Sequence, residues 1–390
     1  MKKLRVGIFG VGRMGRVHLE HLLRLHETNH IELAAIGDRW APFLGAARAH
    51  VPHAVRIDTE PDEMAANGGL DAAVVVSRTG DHARDLLAFV RRGIPVLVEK
   101  PLVRTVAEAA GIVQELGAAA DRLVQVAFQR HYDAATRLAS DWVSRGLIGS
   151  LQQSHHVLQD KNPTPIGYES CGITADMAIH LVQEAMSFRG FELPRQVQAL
   201  QFMSPPYEDR AGEKANVVHV FCQWPGGSLA HLWGSRINST GYDNSFTLTG
   251  TDGRIDVGEF VGDFGPVSAR LWQGTGQGSV PRGSLVESRE FPMARPREGH
   301  PDFYARFAAA YDAELCEFIR RVDAGTALEP GLDVGWKTLL VANLAEASAR
   351  QNGRLFELTQ PDGRPIASAN DAAAFAAMTL SEVERSGAPW

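Results

Sequence analysis

Apolar residues follow two different patterns along the chain, and the change comes near residue 150. In the first part, short apolar runs at 4–9, 31–37, 72–76, 95–98 and 123–127 show no period-2 alternation. Such runs are expected of strands covered by helices on both faces. Between them lie stretches with helical spacing, at 14–25, 43–49, 61–66, 81–92 and 106–119. Regular alternation of strand and helix predicts right-handed crossovers and a parallel, doubly wound sheet. Its ligand should sit at the carboxyl ends of the strands.

A helix ending at Arg145, closed by Gly146-Leu147-Ile148-Gly149, leads into a second region. There the runs at 153–158, 196–202, 217–222, 228–237 and 245–249 read as strands, and several alternate, as in Val218-His219-Val220-Phe221-Cys222. Turns at Pro225-Gly226-Gly227 and Thr251-Asp252-Gly253 suit antiparallel connections. This pattern predicts a large, mostly antiparallel open sheet with one covered face. The other face calls for a partner, so oligomerisation through the sheet is expected. Residues 261–300 read as loops and edge strands, and helices follow at 303–322 and 334–349. The first of these carries Phe303, Phe307, Tyr311, Leu315 and Phe318 in a core-facing stripe. The fold class is therefore α/β: a doubly wound parallel-sheet domain over 1–127, an α/β domain on the open sheet over 128–360, and a tail over 361–390 with a short helical pattern at 372–378.

Composition narrows the function classes. A chain of 390 residues with 44% hydrophobic and 22% charged residues builds a sizeable core. Its net charge of −7 gives no electrostatic case for nucleic acid or an anionic membrane. Met1-Lys2-Lys3 enters the first strand at once, so no signal peptide is expected, and no apolar run is long enough to span a bilayer. Three scattered cysteines without a CxxC pair fit reduced thiols and a cytoplasmic location.

The candidate chemistry lies at strand ends. Strand 4–9 runs into Gly10-Val11-Gly12-Arg13-Met14-Gly15, a G-x-G-x-x-G turn that opens a helix. Gly10 permits the tight turn, Gly12 lets a pyrophosphate approach, and Gly15 lets the helix pack on the sheet. The helix N-terminus offers free N–H groups to the phosphates. The next strand ends in Asp38, 23 residues beyond Gly15, placed to accept the ribose hydroxyls of a dinucleotide. Asp38 would repel a 2′-phosphate and so favours NAD; Arg39, directly after it, could attract that phosphate and keeps NADP open. Ser77-Arg78-Thr79-Gly80-Asp81-His82 follows the third long strand and reads either as a helix cap or as backbone over which the cofactor passes. Glu99-Lys100-Pro101 holds a lysine at the end of a buried strand. In the second region Asp176 and His180 stand four residues apart, so one helix face would carry both, and a carboxylate beside an imidazole suits a proton acceptor. The same spacing suits a zinc pair, but no further ligand cluster stands out, so no metal is expected.

Taken together, these stretches resemble the Gfo/Idh/MocA oxidoreductase family, and within it the inositol 2-dehydrogenase-like members. The glycine turn, Glu99-Lys100-Pro101, Phe128-Gln129-Arg130-His131-Tyr132-Asp133 and Asp176-Met177-Ala178-Ile179-His180 carry the resemblance. It implies that 1–127 is a Rossmann dinucleotide-binding domain and 128–360 a substrate-binding and oligomerisation domain of a homodimer or homotetramer, and it implies reversible hydride transfer between a nicotinamide and a secondary alcohol carbon of a cyclic polyol or sugar. Lys100 would orient the reacting hydroxyl, Asp176 would complete a polar triad with it, and His180 would act as general base or acid. The implied cofactor contacts are Gly10, Gly12, Arg13, Met14, Asp38, Arg39, Ser77, Thr79, His82, Glu99, Lys100 and Gln129. The implied substrate contacts are Lys100, Arg130, His155, Asp160, Asn162, Asp176, His180 and Gln183. Two positions depart from the family's pattern. Cys171-Gly172 stands where a glycine pair is common, and Gln183 stands where many inositol dehydrogenases carry an Asp, which puts myo-inositol itself in question. An NADP-linked sugar or keto-sugar reductase, a glycoside-cleaving enzyme with tightly held NAD, and a nucleotide-sensing regulator are the rival readings.

Overall fold

The computed structural model describes residues 3–67, 69–160, 172–204, 215–258, 265–275, 282–295, 300–301 and 303–385. The chain forms two compact units, Met1–Gln129 with Tyr311–Trp336, and Arg130–Ala310 with Lys337–Trp390.

The first unit runs β1 (Leu4–Phe9), α1 (Arg13–Glu27), β2 (Ile31–Gly37), α2 (Ala41–Arg48), β3 (Arg56–Asp58), α3 (Pro61–Ala66), β4 (Ala72–Val75), α4 (His82–Val90), β5 (Val96–Glu99), α5 (Val106–Leu116), α6 (Ala120–Leu123) and β6 (Val124–Ala127). Its strands form a sheet in the order β3-β2-β1-β4-β5-β6, with parallel pairing throughout. The order reverses between β1 and β4, which makes the carboxyl ends of these two strands the switch point. Val6, Ile8, Leu33, Ile36, Val74 and Leu97 are buried, as continuous apolar strands between two helical layers must be. Residues 311–336 add Leu315, Phe318 and Leu328 to this core. The sequence pattern missed β3, which has three residues, two of them charged, and lies at the sheet edge. α5 opens with a reciprocal cap: Glu108 N–H donates to Thr105 Oγ1 and Thr105 N–H donates to Glu108 Oε2.

The second unit contains α7 (Ala134–Ser144), β7 (Leu151–Gln159), α8 (Ile179–Ser187), β8 (Gln196–Phe202), β9 (Val217–Gln223), β10 (Leu229–Ser235), β11 (Asp243–Gly250), β12 (Gly253–Val257), β13 (Val267–Thr275) and β14 (Arg282–Phe291). The long helices α9 (Phe303–Ala324) and α10 (Leu332–Arg350), then β15 (Phe356–Glu357) and α11 (Ala369–Arg385), complete the chain. The sheet order is β14-β13-β12-β11-β7-β10-β9-β8-β15. Among the described residues all its pairings are antiparallel except β7 with β10, which gives this sheet a pair of adjacent carboxyl ends. The sequence expected loops and edge strands over 261–300; the structure builds the paired strands β13 and β14 there, with β14 at the edge.

Alternation along these strands separates two faces. Ser154, His156, Val220, Ala230, Leu232, Leu248 and Ile255 are buried beneath α7 and α8. Trp142 on α7 is fully buried in a cluster with Phe246, Leu248, Ile255, Ala269 and Leu271. Among the described residues no helix is long and apolar enough to cross a membrane. Trp142→Ala should cost about 3–5 kcal/mol, the usual scale for deleting a large buried aromatic. Urea denaturation followed by circular dichroism measures this, and a loss below about 1 kcal/mol would mean the α7 seam contributes little to stability.

Candidate functional site

The β1–α1 turn is built around close backbone approaches. Gly10 has φ +94°, and a Cβ there would lie 2.4 Å from the backbone nitrogen of Ser77 at the end of β4. A Cβ on Gly15 would lie 2.1 Å from the Gly10 carbonyl oxygen. Gly12 is less confined, since its Cβ would meet the Phe43 ring at 3.1 Å. α1 begins at Arg13 with no side-chain cap and no acidic residue in its first turn, so its amide dipole is left for an anion. This cradle fits a pyrophosphate.

Asp38 closes β2. One of its oxygens accepts the Val11 N–H at 2.8 Å and the other accepts the Trp40 N–H at 2.8 Å. The carboxylate is therefore fixed beside the glycine turn, with lone pairs left for ribose hydroxyls. Arg39 points elsewhere: its terminal nitrogens donate to both oxygens of the buried Asp85, at 3.0 and 2.6 Å, and its Nε donates to Glu60 at 3.0 Å. Thr79 lies in a single turn, Thr79–Asp81, between β4 and α4. His82 is buried, with its ring nitrogens 3.0 Å from the Ser77 carbonyl oxygen and 2.9 Å from that of Pro101, so it ties together the loops that follow β4 and β5.

Lys100 follows β5 and precedes a cis peptide to Pro101. Behind it, Glu99 accepts the Lys100 N–H at 2.9 Å through one oxygen and lies 2.9 Å from His18 Nε2 through the other. Burial alone would raise the Glu99 pKa, but the His18 hydrogen bond and the charges of His18 and Lys100 hold it below the ordinary value. Glu314 is fully buried in the same unit, and neither of its oxygens has a hydrogen-bond partner among the described residues. Burial first, and the Glu99 charge second, push Glu314 well above the ordinary glutamate range. Glu314 is thus a neutral acid near an ionised carboxylate. Gln129 is buried in the turn after β6.

In the second unit, Asp176 lies in a π-helical turn, Thr174–Ala178, that feeds directly into α8 with His180. The sequence pattern expected one regular helix here. The wider turn redirects the side chains, as π-turns at functional sites often do. Arg236, just past β10, donates to Asp176 at 2.7 Å. The Asp160 N–H donates to the Ser235 carbonyl, so the ends of the parallel strands β7 and β10 place Asp160 and Arg236 near each other. Buried Arg130 donates to the Tyr242 hydroxyl at 3.1 Å and lies over the Phe307 ring. Its Nε and other terminal nitrogen, and the amide nitrogen of buried Gln183, have no hydrogen-bond partner among the described residues. Burial pushes the Tyr242 hydroxyl up to about 12, against the lowering pull of Arg130 and Arg306, so it stays protonated. Arg236 and Tyr242 were missed by the sequence reading, because their partners lie far away along the chain.

His155 is a correction. Side chains alternate along β7, so His156 faces α8 and pairs with Glu184 at 2.6 Å, whereas His155 faces the opposite side and lies 3.0 Å from His231. The sheet separates His155 from His180 and Gln183. Asn162 and Cys171 lie outside the described residues.

Both parts of the chain are similar to known proteins. Residues 4–128 match the family model "Oxidoreductase family, NAD-binding Rossmann fold", and residues 136–256 match the model of the GFO/IDH/MocA C-terminal domain. An inositol 2-dehydrogenase of Pseudarthrobacter chlorophenolicus is 28% identical over 356 residues, which covers 90% of this chain and 94% of the relative. A scyllo-inositol 2-dehydrogenase (NAD(+)) of Bacillus subtilis is 25% identical over 331 residues, 83% of this chain and 87% of the relative. The crystal structure of myo-inositol 2-dehydrogenase from Lactobacillus plantarum superposes with a TM-score of 0.74 at 25% identity, over 91% of this chain and 99% of that one.

The state of Glu314 is open to test. A carboxyl whose folded-state pKa is raised supports the fold fully below its unfolded value and loses that contribution as pH rises through the folded value. Glu314→Gln keeps the neutral form at every pH. Its melting temperature should therefore gain on wild type progressively as pH rises above the ordinary glutamate range. A difference that does not change with pH would show that Glu314 is ionised or paired.

Proposed function

Because the chain belongs to the Gfo/Idh/MocA oxidoreductase family and binds NAD through its Rossmann unit, we propose that it oxidises a secondary hydroxyl of an inositol or a closely related cyclic polyol. The dinucleotide accepts hydride from the alcohol carbon in such a reaction. The observation that carries the polyol reading is the set of buried N–H groups on Arg130 and Gln183 that have no acceptor among the described residues. Unpaired buried donors are costly, and a ligand rich in neutral hydroxyl oxygens satisfies them without bringing a counter-charge. The names of the curated relatives support the same substrate class.

In this reading Gly10, Gly12 and the N-terminus of α1, with Arg13 and Met14, hold the pyrophosphate, and Asp38 holds the adenosine ribose. Ser77, Thr79 and Gln129 lie along the cofactor's path. Lys100 orients the reacting hydroxyl and lowers its pKa, while Glu99 and His82 hold the loop that carries Lys100. Asp176, paired with Arg236, completes the polar set, and His180 removes the hydroxyl proton as hydride leaves, so no cationic intermediate builds up. Arg130, Asp160 and Gln183 recognise the remaining hydroxyls. Where an Asp can only accept, Gln183 also donates, so the preferred stereoisomer should differ from that of enzymes with an Asp there.

The reading includes a homo-oligomer. The second sheet's uncovered face presents Leu200 and Phe202, each about half exposed at 49% and 50%, together with Leu229. Around them His219, His231, Phe221 and Trp233 form a stacked array. Exposed apolar area of this kind favours a second copy. The double variant Leu200→Glu/Phe202→Glu should lower the mass measured by light scattering to that of one chain. An unchanged mass would place any interface elsewhere.

NADH absorbance against a panel of inositols and pyranoses, with NAD and NADP in parallel, tests the activity. Silence across the panel from protein that binds NAD would count against polyol oxidation. Lys100→Met and His180→Ala should each lower kcat by about 10² or more, the scale of a lost acid–base group, and His180→Ala should still bind NAD. Full turnover in either variant would remove that residue from the mechanism.

A further inference from the structure

The sequence around the ribose site carries two opposed signals. Asp38 repels a 2′-phosphate, while Arg39, the very next residue, is the type of side chain that usually receives one. The structure shows what becomes of the arginine. Its two terminal nitrogens form a bidentate pair with Asp85, at 3.0 and 2.6 Å, and its Nε bonds Glu60 at 3.0 Å. The guanidinium also lies over the Phe9 ring, 5.0 Å from its centroid. Asp85, on α4, is fully buried. Its other cationic neighbour is Arg84, which is 3.2 Å away through Nε and more than half exposed.

We propose that Asp85 is a specificity-determining residue for the coenzyme: it withholds Arg39 from the 2′ position and so enforces NAD over NADP. If Arg39 turned toward a phosphate, Asp85 would be left as a buried carboxylate with only the solvent-exposed Arg84 to balance it, and an unpaired buried charge is strongly unfavourable. Asp38 cannot yield in its place, because both of its oxygens are held by backbone N–H groups of Val11 and Trp40. Selectivity therefore has two layers on facing elements. One presents a negative charge to the ribose, and the other removes the positive charge that would offset it. Asp85 acts through Arg39 and is a positioning residue, not a contact.

This inference rests on dinucleotide binding at the glycine turn and is independent of the polyol. The test is accordingly a binding measurement: dissociation constants for NAD and NADP by titration calorimetry. Asp85→Asn keeps the side-chain volume but removes the charge and one of the two acceptors. It should improve NADP relative to NAD by about tenfold, the gain expected from one freed charge-assisted contact. Asp85→Asn/Arg39→Gln should return the ratio to the wild-type value, which a merely structural role for Asp85 would not do. It also separates Arg39 from the other basic residues near the turn, Arg13 and Arg16. An unchanged ratio in folded Asp85→Asn overturns the proposal, whereas wild-type protein that binds neither nucleotide overturns the dinucleotide site itself. Should Asp85→Asn not fold, Arg39→Gln alone decides, with 2′,5′-ADP and 5′-AMP as probes. A similar change in affinity for both supports the withheld arginine. A selective loss of 2′,5′-ADP shows that Arg39 already reaches the phosphate and overturns it.

Discussion

A residue with any side chain at position 10 would drive its Cβ into the backbone of Ser77, so the approach of β1's end to β4's end depends on glycine there. That approach sets the rest of the first unit's chemistry. It brings the loops after β1 and β4 side by side at the reversal of strand order, where a groove at the carboxyl edge forms of necessity. It also fixes where α1 starts, and Gly15, with its own approach to the Gly10 carbonyl, holds α1 against the sheet. Asp38 then needs only two backbone hydrogen bonds to stand at the groove's rim.

A second constraint recurs among the described residues: buried and half-buried carboxylates near the candidate site residues are supplied with a specific basic partner. Glu99 has His18, Asp85 has Arg39, Glu184 has His156, Asp176 has Arg236 and Asp133 has Arg306. Each pair holds one side chain in place and thereby helps to orient a neighbour. The Glu99 carboxylate, for instance, accepts the backbone N–H of Lys100. Glu314 follows the alternative route open to a buried acid, which is to remain protonated. An ionised Glu314 close to Glu99 would place two negative charges in one apolar region, and the proton removes that conflict.

The parts of the fold legible in the sequence are those determined by local pattern. Continuous apolar runs gave β1, β2 and β4 nearly to the residue, and alternation gave β9 and β10. β3 escaped because three residues at a sheet edge need no apolar run, and β12 because its five residues offer too short an alternation to stand out. Among the candidate residues, Gly10, Asp38, Lys100, Asp176 and His180 could be singled out from the sequence because spacing or strand-end position marks them. Arg236 and Tyr242 were not, since they lie 60 and 112 residues from the side chains they bond. The partner that occupies Arg39 lies 46 residues away, so the sequence alone left the choice of coenzyme divided between adjacent residues.

The pair His155 and His156 shows why single residues in a strand are harder to place than motifs on turns. Both are histidines, both follow the same polar stretch, and composition offers no means of choosing between them. The parity of β7 decides: one ring goes beneath α8 to Glu184, and the other joins the histidine and aromatic array on the uncovered face. The same parity lets one sheet hold a polar cluster at the ends of β7 and β10 beneath its helices while its opposite surface stays flat. Burial and its neighbouring histidines push His231 in that array down to about 4, so its ring is neutral around pH 7. A neutral, stacked surface can be covered by another apolar surface without a desolvated charge to oppose it.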